Sequence, residues 1–403
     1  MPAPPAGIAD RLAPFGTTIF TEMTLLAQKH KAVNLAQGFP DFDGPDFVKQ
    51  AAIDAVGAGR GQYARMFGDP ILNSALAAQW KRFTGRDINP DTHVTVTSGC
   101  TEAIAATLLG LVNPGDGVIL FQPYYDSYRA SVAMAGGRPI FVTLRPPQSD
   151  GAAGIEFRPF TFDERELQRA FEQRPKAILI NTPHNPTGKV FSREELSTIA
   201  SLCQKHGVIA ITDEVYEFLT FDPARPHVRL ATLPGMEDRT VTLSSLGKSF
   251  SLTGWKIGWA IASPELSWAV RAAHQFLTFA TATPLQIGAA AAVERGGEYV
   301  RGLVTDYAGK RDFLARALAG LGFRVFMPEG TYFLMVDHRS AGRPDDVAFC
   351  RYLTEQIGVA AIPPSVFYDD PGLGRSMARF AFCKKQATLD EAAGRLEKLR
   401  TAR

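Results

Sequence analysis

The residues best able to do chemistry gather in the stretch 244–259, Ser-Ser-Leu-Gly-Lys-Ser-Phe-Ser-Leu-Thr-Gly-Trp-Lys-Ile-Gly-Trp. Lys248 sits there among small, hydroxyl-bearing and apolar neighbours, with a second cation, Lys256, eight residues on. A partly desolvated lysine near another positive charge has a lowered pKa and becomes an amine nucleophile. Ser245 and Lys256 could share an anion. Three further segments add complementary groups. Asp213, at the end of an apolar run, needs a cation or a proton donor if buried, and Tyr216 follows three residues later. Asn185, held between His184 and Pro186, is restricted to an extended pose and offers an amide. Arg379 alternates with apolar residues in Met377-Ala378-Arg379-Phe380-Ala381, and its planar fork suits a carboxylate. Glu214 reads as a solvated neighbour of Asp213, and His184 as a supporting loop residue.

The elements that must position these groups follow from hydrophobic patterning. Strand-like runs at 93–97, 118–121, 140–143, 177–181, 208–212, 240–243 and 259–262 alternate with helix-length segments. One such segment, 192–205, opens on Ser192 with Glu195 three residues later, a capping box. This alternation predicts βα units around a mostly parallel, buried sheet. Ligands of such sheets collect beyond the carboxyl ends of the strands, and five of the six polar segments fall there. Among them, Thr97-Ser98-Gly99-Cys100-Thr101 runs from a strand into a helix, which places backbone N–H groups as a seat for phosphate or as a plain capped start. Tyr125 follows another strand and could stack on a planar ring. Gly38, in Asn34-Leu35-Ala36-Gln37-Gly38-Phe39-Pro40, could admit a ligand to the backbone or form a simple turn. After residue 290 helical and strand-like pieces mix. The expected organisation is an α/β large domain over 45–290 with a seven-stranded sheet, and a smaller α+β domain over 291–403 joined by the N-terminal segment 1–44.

Composition narrows the partners. With 403 residues, 45% hydrophobic, 21% charged and a net charge of +2, nothing calls for nucleic acid or an anionic membrane. The four cysteines form no CxxC pair, so neither a metal site nor a disulfide framework is expected, and a cytoplasmic setting fits. The start Met1-Pro2-Ala3-Pro4-Pro5 lacks the pattern of a secretory leader, and no apolar run is long enough for a transmembrane helix.

Together the groups supply an amine, a buried carboxylate, a phosphate seat, a stacking aromatic, donors to a phenolate and a carboxylate clamp. Pyridoxal 5′-phosphate needs that whole set. The sequence resembles the fold-type I, class I/II pyridoxal-phosphate aminotransferases, and most of all their kynurenine/glutamine/methionine branch. The motifs carrying the likeness are Asn181-Thr182-Pro183-His184-Asn185-Pro186, Asp213-x-x-Tyr216, Ser245-x-x-Lys248 with Lys256, and Arg379-Phe380. The resemblance implies that Lys248 links to the cofactor and moves the substrate proton, that Asp213 pairs with the ring nitrogen, and that Tyr216 and Asn185 hold the phenolate oxygen. It implies Tyr125 stacked on the ring and Asn181 close by. It puts the phosphate on Gly99, Cys100, Thr101, Ser245 and Lys256, with Tyr63 reaching in from a second subunit of a homodimer. Cys100 stands where such proteins often carry Ala or Gly. Arg379, with Asn185 and the Gly38 backbone, would take the α-carboxylate, and Phe20 would line the side-chain pocket.

No second arginine stands in a motif position to select dicarboxylates, while Phe20, Tyr63, Tyr125 and Phe279 suggest an aromatic-tolerant pocket. The expected reaction moves the amino group of a large neutral or aromatic L-amino acid (methionine, glutamine, phenylalanine or kynurenine) to a 2-oxo acid in ping-pong fashion. A cysteine-S-conjugate β-lyase would use the same Lys248. A non-catalytic pyridoxal-phosphate sensor is the alternative of another class, against which stands the lack of a helix-turn-helix extension.

Overall fold

The computed structural model describes residues 7–148 and 152–400; the proline-rich first six residues lie outside them. The strands are β1 (Val33–Asn34), β2 (Val94–Ser98), β3 (Gly117–Gln122), β4 (Arg138–Thr143), β5 (Gly154–Glu156), β6 (Ala177–Asn181), β7 (Ile209–Asp213), β8 (Thr240–Ser245), β9 (Ile257–Ile261), β10 (Arg324–Phe326), β11 (Phe333–Asp337), β12 (Val359–Ala360) and β13 (Met377–Ala381). Seven of them form one sheet in the order β2-β9-β8-β7-β6-β3-β4, and each of the seven strand runs read from the sequence falls in it. β9 is antiparallel to both neighbours while the remaining pairs are parallel. Six strands therefore share a direction. Their carboxyl ends and the amino end of β9 meet at one edge, which is why Lys256, just before β9, arrives beside residues that follow the other strands.

The near-continuous apolar strands are those of a sheet buried on both faces. Side chains alternate between two cores: Val118, Leu120, Ala177 and Leu179 enter one, while Ile119, Phe121, Ile178 and Ile180 enter the other. Helices cover both faces. The helix Arg193–His206 begins as its capping box requires, with the Glu195 N–H donating to Ser192 Oγ at 3.2 Å and the Ser192 N–H to Glu195 Oε2 at 2.8 Å.

A second sheet, in the order β13-β11-β10-β5, is antiparallel apart from the β10–β5 pair. β5 lies within the stretch expected for the large domain, yet it pairs with Arg324–Phe326. The N-terminal segment reaches the same region through β1, which runs parallel to β12 with Val33 opposite Val359. Among the described residues no helix is long and apolar enough to cross a membrane.

Candidate active site

At the common edge of the large sheet, beneath the second sheet, lies a cavity of about 350 Å³. Its walls hold Lys248, Asp213, Tyr216, Asn181, Asn185, Tyr125 and the Gly99-Cys100-Thr101 turn, with Ser245, Lys256, Gly38, Phe20 and Arg379. Fourteen of the fifteen residues given a cofactor or substrate role in the sequence thus converge.

The exception is Tyr63. It is 84% exposed, lies outside this cavity's lining, and meets Phe279 edge-on at 5.5 Å. Phe279, expected to help shape the pocket, is outside the lining too.

The chain builds the amine end from a short helix, Leu246–Ser249, that starts where β8 ends. Lys248 Nζ lies 5.8 Å from the ring centroids of both Tyr216 and Tyr332. Desolvation by these surroundings lowers its pKa, partly countered by nearby Cys383 and Asp213, the direction an amine nucleophile needs.

Asp213 closes β7 and is buried. Its Oδ2 accepts from Tyr128 Oη at 2.6 Å and its Oδ1 from the Val215 N–H at 3.2 Å. Burial pushes its carboxyl up; Tyr128, the Val215 N–H, the Cys100 thiol and the Lys248 charge only oppose that. A carboxylate so held is suited to a protonated ring nitrogen.

Tyr216 sits in the turn after β7, where the Glu217 N–H donates to the Glu214 carbonyl at 2.8 Å. Its phenol is pushed up by burial. Asn181 donates through Nδ2 to the Asp213 carbonyl at 2.9 Å and accepts the Asn185 N–H at 2.7 Å. His184, in the same loop, is buried and outside the cavity lining, with its Nδ1 at 2.8 Å from Thr187 Oγ1.

The phosphate-type seat is the start of the helix Gly99–Leu111. Gly99 has φ +73°, and a Cβ on it would stand 3.2 Å from Lys256 Nζ, so only glycine brings the lysine so near the helix N-terminus. Lys256 itself is left-handed, φ +54°. Tyr125 caps this corner, edge-on to Tyr128 at 5.7 Å.

Opposite lies Arg379, 1% exposed. Nη1 donates to Asn185 Oδ1 and Nη2 to the Ala36 carbonyl, each at 2.9 Å. Its plane lies over Phe333, 4.1 Å from the centroid, with Phe20 at 5.2 Å. Among the described residues its buried Nε has no partner. Burial lowers its pKa to about 10, opposed by Tyr216, Tyr332 and Asp126, so it remains a cation at neutral pH, and among the described residues no carboxylate forms an ion pair with it.

Several contributors escaped the sequence reading. Tyr128, the hydroxyl donor to Asp213, stands three residues after Tyr125 on a helix start, and that spacing could have pointed to it. Tyr332, Phe333 and Gln37 carry no local signal. Glu214 is a correction: it is fully buried, accepting from Thr212 Oγ1 at 3.0 Å and facing His227 Nε2 at 2.8 Å. The turn after β7 points its side chain under the sheet edge and away from water.

The buried Asp213 carboxylate, the Gly99 cradle with Lys256, the amine of Lys248 and the anion-free Arg379 match the four parts of a pyridoxal-phosphate–amino-acid pair. The comparisons agree. Residues 30–396 match the family model described as aminotransferase class I and II. A probable N-succinyldiaminopimelate aminotransferase of Mycobacterium tuberculosis is 47% identical over 97% of this chain and 98% of its own length. The kynurenine–oxoglutarate transaminase of Dictyostelium discoideum is 40% identical over 96% and 95%. The solved structure of N-succinyldiaminopimelate aminotransferase from Mycobacterium tuberculosis superposes with a TM-score of 0.93 at 46% identity, covering 98% of this chain and all of that one. The chain belongs to the class I and II aminotransferases, fold-type I enzymes that use pyridoxal 5′-phosphate.

Proposed function

We propose that this aminotransferase takes its amino group from a large neutral or aromatic L-amino acid and passes it to a 2-oxo acid. The observation that carries the reading is the count of cations around the cavity: Lys248, Lys256 and Arg379 are those among its lining residues. Lys248 serves the cofactor, Lys256 the phosphate and Arg379 the α-carboxylate, which leaves no cation among the described lining residues for an acidic side chain. Phe20, Phe39, Ile104, Tyr125 and Phe333 make the remaining wall apolar.

When bound, the cofactor supplies an electrophilic carbonyl and an electron-accepting ring. The residues would do the rest. Lys248 would anchor it through Nζ and, once freed, would hold at that Nζ the proton that leaves the donor's Cα. Asp213, steadied by Tyr128, would pair with the ring nitrogen. Tyr216 and Asn185 hold the phenolate oxygen, Asn181 keeps the Asn185 backbone in place, and Tyr125 covers the ring. Gly99, Cys100, Thr101, Ser245 and Lys256 receive the phosphate. Arg379 and Asn185 receive the α-carboxylate against Phe20. Tyr63, exposed as a residue serving a neighbour would be, completes the phosphate site of a second subunit, making the enzyme a homodimer. The division into 1–44 with 291–403 and 45–290, and a cytoplasmic setting, belong to the same proposal. A β-lyase side reaction on cysteine S-conjugates would use Lys248 identically.

A second reading has one observation in its favour. The 47% identical relative is named for N-succinyldiaminopimelate, a large amino acid bearing distal carboxylates. The test is the visible spectrum of the purified holoenzyme titrated with L-methionine, L-glutamine, L-phenylalanine, L-kynurenine and N-succinyl-LL-diaminopimelate. Bleaching by the neutral donors, reversed by a 2-oxo acid and absent in Lys248→Ala, is expected. Bleaching by the succinylated donor alone replaces the first reading with the second. Pyruvate and ammonia released without an acceptor would mark the lyase.

A further inference from the structure

The segment 36–39 borders the cavity through Gln37, Gly38 and Phe39, and each of its four consecutive carbonyls is taken by a side chain from the C-terminal part of the chain. Arg379 Nη2 holds Ala36 at 2.9 Å, and Tyr332 Oη holds Gly38 at 2.6 Å. Lys384 Nζ alone holds two, Gln37 at 3.2 Å and Phe39 at 2.7 Å. The N–H groups of Ala36 and Gln37 both donate to Asn34 Oδ1. The N–H groups of Gly38 and Phe39 have no partner among the described residues. Gly38 is pressed so close that a Cβ would stand 2.6 Å from Phe333 Cζ, and Phe333 is the ring under the Arg379 guanidinium.

Lys384 is an unusual residue to spend on this. It is 3% exposed, no carboxylate lies within ion-pairing distance of it among the described residues, and its ammonium lies 4.9 Å from the centroid of Phe39. Burying a lysine costs free energy unless its donors are used, and two of its three are used on this strap. Just beyond, Asp41 accepts from the Lys385 N–H and from Thr388 Oγ1, each at 2.6 Å, so the strap is tied on both sides of Phe39.

We infer that Lys384 is a positioning residue for the substrate: it turns the Gln37 and Phe39 carbonyls away from the cavity and thereby leaves the Gly38 N–H for the carboxylate that Arg379 receives. The inference rests on the proposed α-carboxylate role of Arg379. It gives both half-reactions a common dependence, since amino donor and 2-oxo acceptor carry the same carboxylate. Cofactor binding, on the opposite wall, does not depend on it.

Lys384→Met keeps the unbranched shape to within one atom and removes the donors; Lys384→Arg keeps the charge. In the holoenzyme, Lys384→Met should raise KM for donor and acceptor together by roughly tenfold, the loss of charge-assisted positioning bonds, with kcat within about threefold. Lys384→Arg should recover part of the loss. In the cofactor-free protein the amides of 36–42 should exchange with solvent faster in Lys384→Met, while those of the large sheet stay unchanged. Two results overturn the inference: KM and strap exchange that match wild type, or cofactor affinity and large-sheet protection that fall in step with KM. Should Lys384→Met not fold, Lys384→Gln removes the charge and shortens the side chain while keeping an amide donor, and an unchanged KM there overturns it equally. Arg379→Lys separates the two levels. If it raises KM while Lys384→Met does not, the strap inference alone fails; if it leaves KM untouched, the carboxylate reading fails and takes the inference with it.

Discussion

The cavity has two anion seats built in opposite ways. The phosphate-type seat is made by strand ends of one sheet: Gly99 follows β2, Ser245 ends β8 and Lys256 precedes β9, which pairs with both. The carboxylate seat is made by contacts across the chain: Arg379 bonds to Asn185, 194 residues away, and to Ala36, 343 residues away. The first seat is as stable as the sheet whose edge it forms. The second exists only while the strap, the 181–188 loop and β13 are docked together. Cofactor affinity and substrate affinity should therefore respond to different substitutions.

The largest separation is expected from Arg379→Ala. It removes the receiver of the carboxylate and leaves the Asn185 amide oxygen and the Ala36 carbonyl without their donor. Truncating one partner of a buried, hydrogen-bonded charge pair costs about 2–5 kcal/mol, so KM for the amino donor should rise by roughly 10²-fold or more. Cofactor affinity, read by titrating the apoprotein with pyridoxal phosphate, should change little. If both constants move together, the seats are not independent and the comparison fails.

Gly99→Ala is the reciprocal experiment, with a smaller effect. At φ +73° an alanine costs about 1–2 kcal/mol, and its Cβ would meet the Lys256 side chain at 3.2 Å. Cofactor affinity should fall roughly tenfold, while donor KM, measured at saturating cofactor, stays near wild type. A loss of donor affinity with cofactor binding intact would mean that the helix start serves the substrate instead.

The same contrast explains what could be read in the sequence. Lys248, Asp213, Tyr216 and the Gly99 turn announce themselves locally, each at a strand end with small or polar neighbours, and the alternation that yields the sheet is local too. Residues that act from a distance do not. β5 is a three-residue piece whose partner lies some 170 residues on, and no periodicity can assign it to the second sheet. Lys384 is one of two adjacent lysines before a helix, and nothing local marks it as the one buried against backbone carbonyls. Glu214 next to Asp213 looked solvated because a turn's direction is set by tertiary packing. Arg379 was legible because an arginine inside an apolar strand is anomalous by itself; its partners, 194 and 343 residues away, were not.

The 181–188 loop joins the carboxylate seat to the end of β7, through Asn185 at Arg379 and Asn181 at the Asp213 carbonyl, and His184 is its buried core. Burial and the nearby Lys189 charge hold this histidine's pKa down to about 3, against 6.5 for a free one. It is therefore neutral in the fold, with Nδ1 on the Thr187 hydroxyl and the ring bonded to the Pro123 carbonyl. In the unfolded chain it takes up a proton below pH 6.5, so its contribution to stability is complete above that value and drains as pH falls toward about 3. Linkage gives about 1 kcal/mol lost between pH 7 and 5.5. His184→Gln can keep both hydrogen bonds without titrating. The apoprotein of the variant should thus show a shallower fall of unfolding midpoint across that range than wild type, whatever its absolute stability. Parallel slopes would mean that the native loop accepts the proton.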